Sequence, residues 1–453
     1  MLSVTLSLLA DRLGLPFESE DVALTGLAID SRQVKSGDLF AAIEGATVNG
    51  NDFIDAAITR GAAAVISAQS VAQSIPSLRV ESIEKACADF GSLMRQGSSA
   101  KVVGITGSAG KTTAKAFVEQ ICARAGSTVA TLGNQNNELG VPLTLARLSS
   151  DPSFAVVEMG AAQRGDITYL SRIAKPEVVV LLNALEAHVG RFGSVETIVE
   201  TKGEILDGLT SDSTAVLNAD QPYFDVWKKR ARPASTITFG MDQAADVCCL
   251  DAVSKGFAGT SLTFSMRGEC YSVELAIPGA AGVMNALAGA AVGVALGLSH
   301  DKIVAGLESL SPVDGRGKTL HLDRDIRLVD DSYNASPSSV IAAISVLATS
   351  PAPRTAVLGD MLELGDEAVA YHREVGRHLA DCGVERLLSV GSLARHFGDV
   401  SGIQAEHFSD VRALIASKPE FSTNETILVK GSRGMQLDQF VDSLSAASGV
   451  AQC

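Results

Sequence analysis

Short apolar runs separated by polar turns dominate the first hundred residues. Residues 39–43 and 62–66 are runs of this kind, and Lys35-Ser36-Gly37-Asp38 is a turn before the first of them. The alternation predicts a small α/β unit. Residues 1–16 are mildly apolar, but Asp11 and Arg12 interrupt them and no basic stretch precedes them, so they read as a first helix rather than a secretory signal. From Lys101 the pattern changes to strand, glycine turn and helix: Lys101–Thr106 is rich in β-branched residues, 107–110 is the turn, and 111–124 has helical periodicity. Phe154–Glu158, 177–183 and Thr214–Asn218 are further strands, each followed by helical or loop sequence. This alternation predicts a mostly parallel sheet covered on both faces.

Residues 275–300 are free of charge and long enough to cross a bilayer. Pro278, the many Gly and Ala residues and Asn285 within the run instead predict a close-packed helix inside a soluble domain. After a turn at 311–318, a third set of strands follows at 326–330, Arg354–Gly359, 386–391 and Thr426–Lys430, separated by helices at 338–348, 367–382 and 435–447. That is a second open α/β sheet. The resulting organisation is α/β with three domains: a small N-terminal one (1–98), a central P-loop parallel-sheet domain (99–312) and a C-terminal Rossmann-like domain (313–453). No repeat at solenoid or propeller spacing interrupts it.

Composition narrows the function. Hydrophobic residues make up 46% and charged residues 20% of 453, with only 13 Pro, which excludes extensive disorder. Asp and Glu number 52 against 37 Lys and Arg, and the net charge of −15 argues against non-specific binding of nucleic acid or anionic membranes. The seven Cys form no CxxC pair and read as reduced thiols of a cytosolic protein.

The chemistry starts at Gly104-Ile105-Thr106-Gly107-Ser108-Ala109-Gly110-Lys111-Thr112-Thr113, which joins a predicted strand to a predicted helix. There the N–H groups of Gly107, Ser108, Ala109 and Gly110 and the helix N-terminus can cradle phosphates, Lys111 can reach the β and γ oxygens, and Thr112 can ligate Mg²⁺. Ile105 stands where the standard Walker loop has glycine, so the loop is short, and a ligand-free glycine turn is the bland alternative. Glu158 ends an apolar strand and qualifies as the second metal ligand, against the alternative of an exposed strand-end residue. His188 lies on the sheet's C-terminal edge, where ligands collect, although a lone His is more often a structural hydrogen-bonder. Lys202 as an ammonium would be repelled by a metal there.

These residues resemble the Mur ligase family of peptidoglycan synthesis, and the resemblance spans essentially the whole chain. Asp30-Ser31-Arg32-Gln33-Val34 and Gly37-Asp38-Leu39-Phe40 resemble the family's uridine-diphosphate segment, which implies contacts from Ser31 and Arg32. The 104–113 loop is similar to the family's short ATP loop. Gly133-Asn134-Gln135-Asn136-Asn137 resembles its muramoyl loop, implying Asn134 and Asn137 as ligands. Glu158 corresponds to its magnesium carboxylate, His188 to a second metal ligand, and Lys202, 14 residues after His188, to a lysine that the family carbamylates. A carbamate is anionic and would hold Mg²⁺, where an ammonium could not; the resemblance implies two such ions.

Asn285-Ala286-Leu287-Ala288 resembles the adenine segment, although Ala281-Gly282 stand where the family usually has His-Asn. Gly315-Arg316 resembles the interdomain arginine. Asp330 to Pro337 resembles the ribose loop, implying Asp331 and Asn334; in isolation Asp331 also reads as a helix cap. Gly359-Asp360-Met361-Leu362-Glu363-Leu364-Gly365 with His372, and Lys430-Gly431-Ser432-Arg433, point to the branch that adds a dipeptide, with Lys430, Ser432 and Arg433 as its ligands; singly, Lys430 and Arg433 also read as a solvated strand end. The resemblance implies a monomeric, cytoplasmic ligase that uses ATP to join D-alanyl-D-alanine to UDP-N-acetylmuramoyl-tripeptide through an acyl phosphate, with Lys111, His188, Lys202 and Arg316 as catalytic residues. A sibling ligase with another acceptor, including the folylpolyglutamate type, and a nucleotide-gated binding protein are the rival readings.

Overall fold

A computed structural model of the chain describes residues 4–45, 48–185, 189–313, 315–399 and 403–448. Three sheets organise them. The first is wholly parallel, in the order β1 (Gly26–Ala28), β2 (Asp38–Ala41), β3 (Ala64–Ser67), β4 (Ser77–Arg79). Two helices cover one face. Leu6–Leu13 is capped by the Thr5 hydroxyl and stopped at Gly14, whose φ of 68° suits glycine. Ile83–Gln96 buries Ile83, Ala86, Cys87, Phe90, Leu93 and Met94, a helical stripe that packs on the sheet.

The second sheet has nine strands: β5 (Lys101–Thr106), β6 (Thr128–Ala130), β7 (Phe154–Glu158), β8 (Val178–Leu181), β9 (Thr214–Asn218), β10 (Ser235–Gly240), β11 (Val247–Ser254), β12 (Thr260–Met266) and β13 (Glu269–Leu275). Their order is 13-12-11-10-9-8-5-7-6, parallel from β6 to β11 and antiparallel beyond. β5 lies between β7 and β8, so the chain leaves it in two directions and opens a crevice above its C-terminal end, where ligands bind in such sheets.

The expected 177–183 strand is shorter, because Asn183 turns its carbonyl and amide toward the loop after β5 instead of continuing the ladder. The antiparallel hairpin β12–β13 was not expected from the sequence. Its inward residues Leu262, Phe264, Met266, Val273 and Leu275 close the core.

The charge-free 275–300 run resolves into the end of β13, the helix Gly279–Ala295 and the start of His300–Glu308. Its glycines let helices approach closely: a Cβ on Gly289 would sit 3.0 Å from the Cβ of Phe117, and one on Gly293 3.3 Å from the Cγ2 of Ile121. Both partners belong to Lys111–Ala123, so the small-residue composition serves to seat the helix behind the phosphate loop. Among the described residues no helix is long and apolar enough to cross a membrane.

The third sheet runs β14 (Lys318–Leu322), β15 (Ile326–Asp331), β19 (Thr426–Lys430), β16 (Arg354–Gly359), β17 (Arg386–Val390) and β18 (Gln404–Phe408), parallel except for β14. Helices Pro337–Ala348, Ala368–Asp381 and Asp438–Ala447 lie where the sequence placed them. The C-terminal ends of β15 and β19 bring Asp331 and Lys430 side by side in register. The Gly190 N–H donates to the Glu363 carbonyl at 3.2 Å, joining the second region to the third.

Candidate active site

A cleft of about 630 Å³ lies between the second and third sheets. Its walls carry Ser108 to Thr112, Asn134, Asn137, Glu158 and Lys202 on one side and Arg316, Asp331, Asn334, Lys430, Ser432 and Arg433 on the other.

The phosphate loop is held in shape before any ligand arrives. The Ala109 N–H donates to Asn183 Oδ1 at 2.9 Å and Asn183 Nδ2 donates back to the Ala109 carbonyl at 3.2 Å. The Ser108 N–H donates to the Asn183 carbonyl, and the Ser108 hydroxyl accepts from the Leu185 N–H at 3.0 Å. Gly110 begins the helix at φ 82°, and a Cβ there would stand 2.5 Å from Asn285 Oδ1. Only glycine fits that position. Asn285 therefore sits beneath the loop rather than on the cleft wall. A Cβ on Gly107 would lie 2.9 Å from the Leu182 Cβ, so this glycine permits close approach to β8. Gly107 and Thr113 are behind the lining residues.

Lys111 Nζ donates to the Gly107 carbonyl at 2.7 Å and the Ser108 carbonyl at 3.3 Å. Burial lowers its pKa, Glu158 pulls it back up and Arg316 pushes it down. The three side chains thus feel one another across the cleft.

Glu158 is 2% exposed. Its Oε1 accepts from Asn136 Nδ2 at 2.7 Å, its N–H donates to the Thr131 hydroxyl at 3.0 Å, and its Oε2 is buried without a hydrogen-bond partner. A buried carboxylate oxygen with no donor is a costly arrangement unless a cation completes it. The fit is to Mg²⁺, which takes one or two protein oxygens and otherwise relies on phosphates and water. Thr112 lines the same cleft. No cluster of three or more His, Cys, Asp or Glu suited to a metal occurs among the described residues. His188 lies outside the described residues.

Lys202 lies in the last turn of the helix Val195–Gly203 and is 3% exposed, its Nζ 5.6 Å from the Phe192 ring centroid. Burial and Lys111 lower its pKa to about 7, opposed by Asp166 and Glu204. The cationic form of Lys202 is therefore weaker here than on an exposed lysine.

On the opposite wall the Arg316 guanidinium lies 4.1 Å from the Tyr333 ring centroid, a cation–π contact. Asp330 Oδ2 accepts from the Gly315 N–H at 2.9 Å and Oδ1 from the Ser332 hydroxyl at 2.6 Å, so this acid shapes the loop that carries Arg316. Asp331 Oδ2 accepts from Lys430 Nζ at 2.7 Å, and Lys430 also donates to the Asn334 carbonyl at 2.9 Å. Burial pushes the Asp331 carboxyl up against the pull of Lys430. Asp331, read from sequence as a ribose ligand, and Lys430, read as a dipeptide ligand, are therefore one ion pair. The Ser432 hydroxyl accepts from the Leu362 N–H at 2.9 Å and serves first to tie two cleft loops. Arg433 is exposed and paired with Asp438 at 2.7 Å.

Three further residues from the sequence reading, Ser31, Arg32 and His372, lie off the cleft wall. Ser31 is buried in the first region, and Arg32 is an exposed side chain paired with Asp30 at 2.7 Å; neither lines this cleft. His372 is fully buried beneath it: Nε2 accepts from the Met361 N–H at 3.0 Å, Nδ1 donates to the Ala368 carbonyl at 2.6 Å, and the ring is 4.8 Å from Phe397. It orders the 359–365 loop from behind.

Asn136, Asn183 and Tyr333 were not singled out from the sequence. Asn136 was visible within an Asn-rich run and Asn183 at the end of an apolar strand, but their partners are set only by the fold.

The chain has relatives in both sequence and fold. The chain matches the Mur ligase family, catalytic domain, over residues 23–90, the Mur ligase middle domain over 105–293, and the Mur ligase, glutamate ligase domain, over 315–433. It is 36% identical to the UDP-N-acetylmuramoyl-tripeptide--D-alanyl-D-alanine ligase of Escherichia coli (strain K12), over 98% of this chain and 99% of that one. A crystal structure of MurF from Acinetobacter baumannii superposes with a TM-score of 0.87 at 28% identity, covering 98% and 99% of the two chains. The MurF ligase of Thermotoga maritima, solved in complex with ADP, gives 0.81 at 30% identity over 94% and 98%.

Proposed function

The chain belongs to the Mur ligase family, and from that premise we propose that it joins D-alanyl-D-alanine to UDP-N-acetylmuramoyl-tripeptide at the expense of ATP, giving the UDP-pentapeptide, ADP and phosphate. The observation that carries this reading is one cleft holding a phosphate loop with Lys111 and a buried half-satisfied Glu158 on one wall, facing Arg316, Lys430 and Arg433 on the other.

An acid and an amine do not condense in water unaided, so the carboxylate must first be activated. A carboxylate oxygen of the tripeptide attacks the γ-phosphorus, the bond to ADP breaks, and an acyl phosphate forms. The dipeptide amine then attacks the acyl carbon, inorganic phosphate departs, and the nitrogen loses a proton. Catalysis is chiefly alignment and charge neutralisation. The amides of Ser108 to Gly110 hold the phosphates, Lys111 leaves its own loop carbonyls for the nucleotide, and Arg316, steadied on Tyr333, meets the transferring group. Asp331 and Asn334 would take the ribose hydroxyls. Lys430 and Arg433, paired here with Asp331 and Asp438, would turn to the dipeptide carboxylate when it binds. The cleft walls keep water from the acyl phosphate.

Glu158, Thr112 and a carbamylated Lys202, with His188, would hold Mg²⁺, which would disperse phosphoryl charge when bound. Support for the carbamate is the burial of Lys202 beside Lys111 and its readiness to be a neutral amine. In this plan residues 1–98 hold the UDP end through Ser31 and Arg32, 99–312 the ATP, and 313–453 the dipeptide. The enzyme works as a monomer in the cytoplasm, without nucleic acid or membrane partners.

Phosphate release by the purified protein tests the reading. It is expected only when ATP, UDP-tripeptide and D-alanyl-D-alanine are all present. Equal release with single amino acids, or with a folate acceptor, would reassign the enzyme to a sibling activity.

A further inference from the structure

Lys115 is a buried cation with no part in the reaction as described. It sits one turn beyond Lys111 on the helix Lys111–Ala123 and is 7% exposed. Its Nζ donates to the Thr131 carbonyl at 2.7 Å. An apolar residue would fill such a position at lower cost, since a buried ammonium needs compensation that water no longer gives.

What Lys115 grips is informative. Thr131 follows β6 directly, and its hydroxyl accepts the N–H of Glu158 at 3.0 Å. The preceding carbonyl, that of Ala130, accepts from the Arg147 guanidinium. Past Thr131 the chain passes through Leu132 and Gly133 to Asn134, Asn136 and Asn137, and Asn136 returns to Glu158 Oε1 at 2.7 Å. One threonine therefore carries the nucleotide helix on its carbonyl, the backbone of Glu158 on its hydroxyl and the start of the 132–137 loop on its C-terminal side. Lys115 is the only tie in this set that comes from the helix bearing Lys111.

We propose that Lys115 is a positioning residue for the carboxylate donor: its bond to the Thr131 carbonyl fixes the 134–137 loop and Glu158 relative to the phosphate loop, so that the donor acid meets the γ-phosphate in line. The proposal rests on the ligase reading above. It predicts a specific kinetic division, because the phosphate loop has its own supports in Asn183 and Leu185 and needs nothing from Lys115.

The test uses the full chain with Lys115→Met and Lys115→Arg. For Lys115→Met the expected result is a KM for UDP-tripeptide raised about tenfold or more and a kcat lowered by a similar factor. The affinity for ADP should stay within about twofold of the parent. Lys115→Arg, which keeps a charged donor, should recover part of the loss. Unchanged donor KM in both variants, an ADP affinity that falls as far as the donor's, or an arginine variant no better than methionine would each overturn the proposal. Should Lys115→Met fail to fold, Lys115→Gln replaces it: a raised donor KM with unchanged ADP affinity supports the proposal, and an unchanged donor KM overturns it. Direct binding of UDP-tripeptide, measured by calorimetry without turnover, keeps the question separate from the ligase reading. If the parent protein forms no amide, that reading fails, while donor binding still reports on Lys115.

Discussion

Asn136 donates a 2.7 Å hydrogen bond to one carboxylate oxygen of Glu158 and leaves the other oxygen buried without a partner. The side-chain amide fixes the orientation of the acid and leaves its second oxygen as the one able to take a cation. Replacing Glu158 by Gln keeps the shape and an acceptor for Asn136 but removes the charge. Turnover should fall by about a hundredfold or more. The melting temperature should hold or rise, since an uncompensated buried charge disappears. Magnesium titration of turnover beside a thermal scan checks both, and loss of stability without loss of magnesium dependence would contradict the role.

Lys111 turns back on the Gly107 carbonyl at 2.7 Å. Lys111→Ala removes the cation that should follow the γ-phosphate, and turnover should drop by about 10² to 10⁴. Secondary structure should be unchanged, because Asn183 and Leu185 hold the loop independently. Steady-state phosphate release and circular dichroism are the readouts. A variant that turns over normally would remove the basis of the proposed chemistry.

Lys202 has a pKa lowered to about 7 by burial and by Lys111. Its neutral form, the one that adds carbon dioxide, therefore dominates above pH 7 and is lost as the pH falls below it. Native mass spectrometry should find the mass of one carbon dioxide, retained at alkaline pH and lost on acidification. Removing dissolved carbon dioxide should lower kcat, with the deficit larger at pH 6 than at pH 8. Lys202→Arg should be inactive under all these conditions.

How much of this was legible in the sequence depended on whether a residue's role is local. β5, the glycine turn and the helix from Lys111 follow one another within a short stretch, so periodicity and loop chemistry located them together. Glu158 was found because a carboxylate at the end of Phe154–Glu158 contradicts its own neighbours. The hairpin β12–β13 alternates strictly, with Leu262, Phe264 and Met266 inward and Ser261, Thr263 and Ser265 between them. That period-two signal is local, and the longer apolar run that follows it masks the hairpin in the sequence. Lys115, Asn136 and Asn183 were illegible for a different reason. Each acts through a partner far along the chain, and a lysine on a helix or an asparagine in a loop is ordinarily a solvated residue. The pairing of Asp331 with Lys430 likewise needs β15 and β19 to be neighbours, which no local pattern dictates.

His372 accepts the Met361 N–H and is shielded from water, and burial lowers its pKa below the usual histidine value. Because the folded pKa is the lower one, protonation opposes the fold. The stabilisation is complete above about pH 6.5 and is lost progressively as the pH falls toward the folded pKa. His372→Gln should cost about 1–3 kcal/mol at neutral pH, chiefly through the hydrogen bond to the 359–365 loop. Its melting temperature should fall less steeply than the parent's between pH 7 and pH 5. Equal slopes in the two proteins would assign the acid sensitivity to other groups.

The most direct measurement follows one oxygen atom. UDP-tripeptide carrying a heavy oxygen isotope in its free carboxylate is incubated with the enzyme, ATP and D-alanyl-D-alanine, and the phosphate released is analysed by mass. If the cleft hands the γ-phosphoryl group to that carboxylate, one labelled oxygen leaves with each phosphate and the other stays in the new amide. Unlabelled phosphate accompanying amide formation would contradict the acyl-phosphate route.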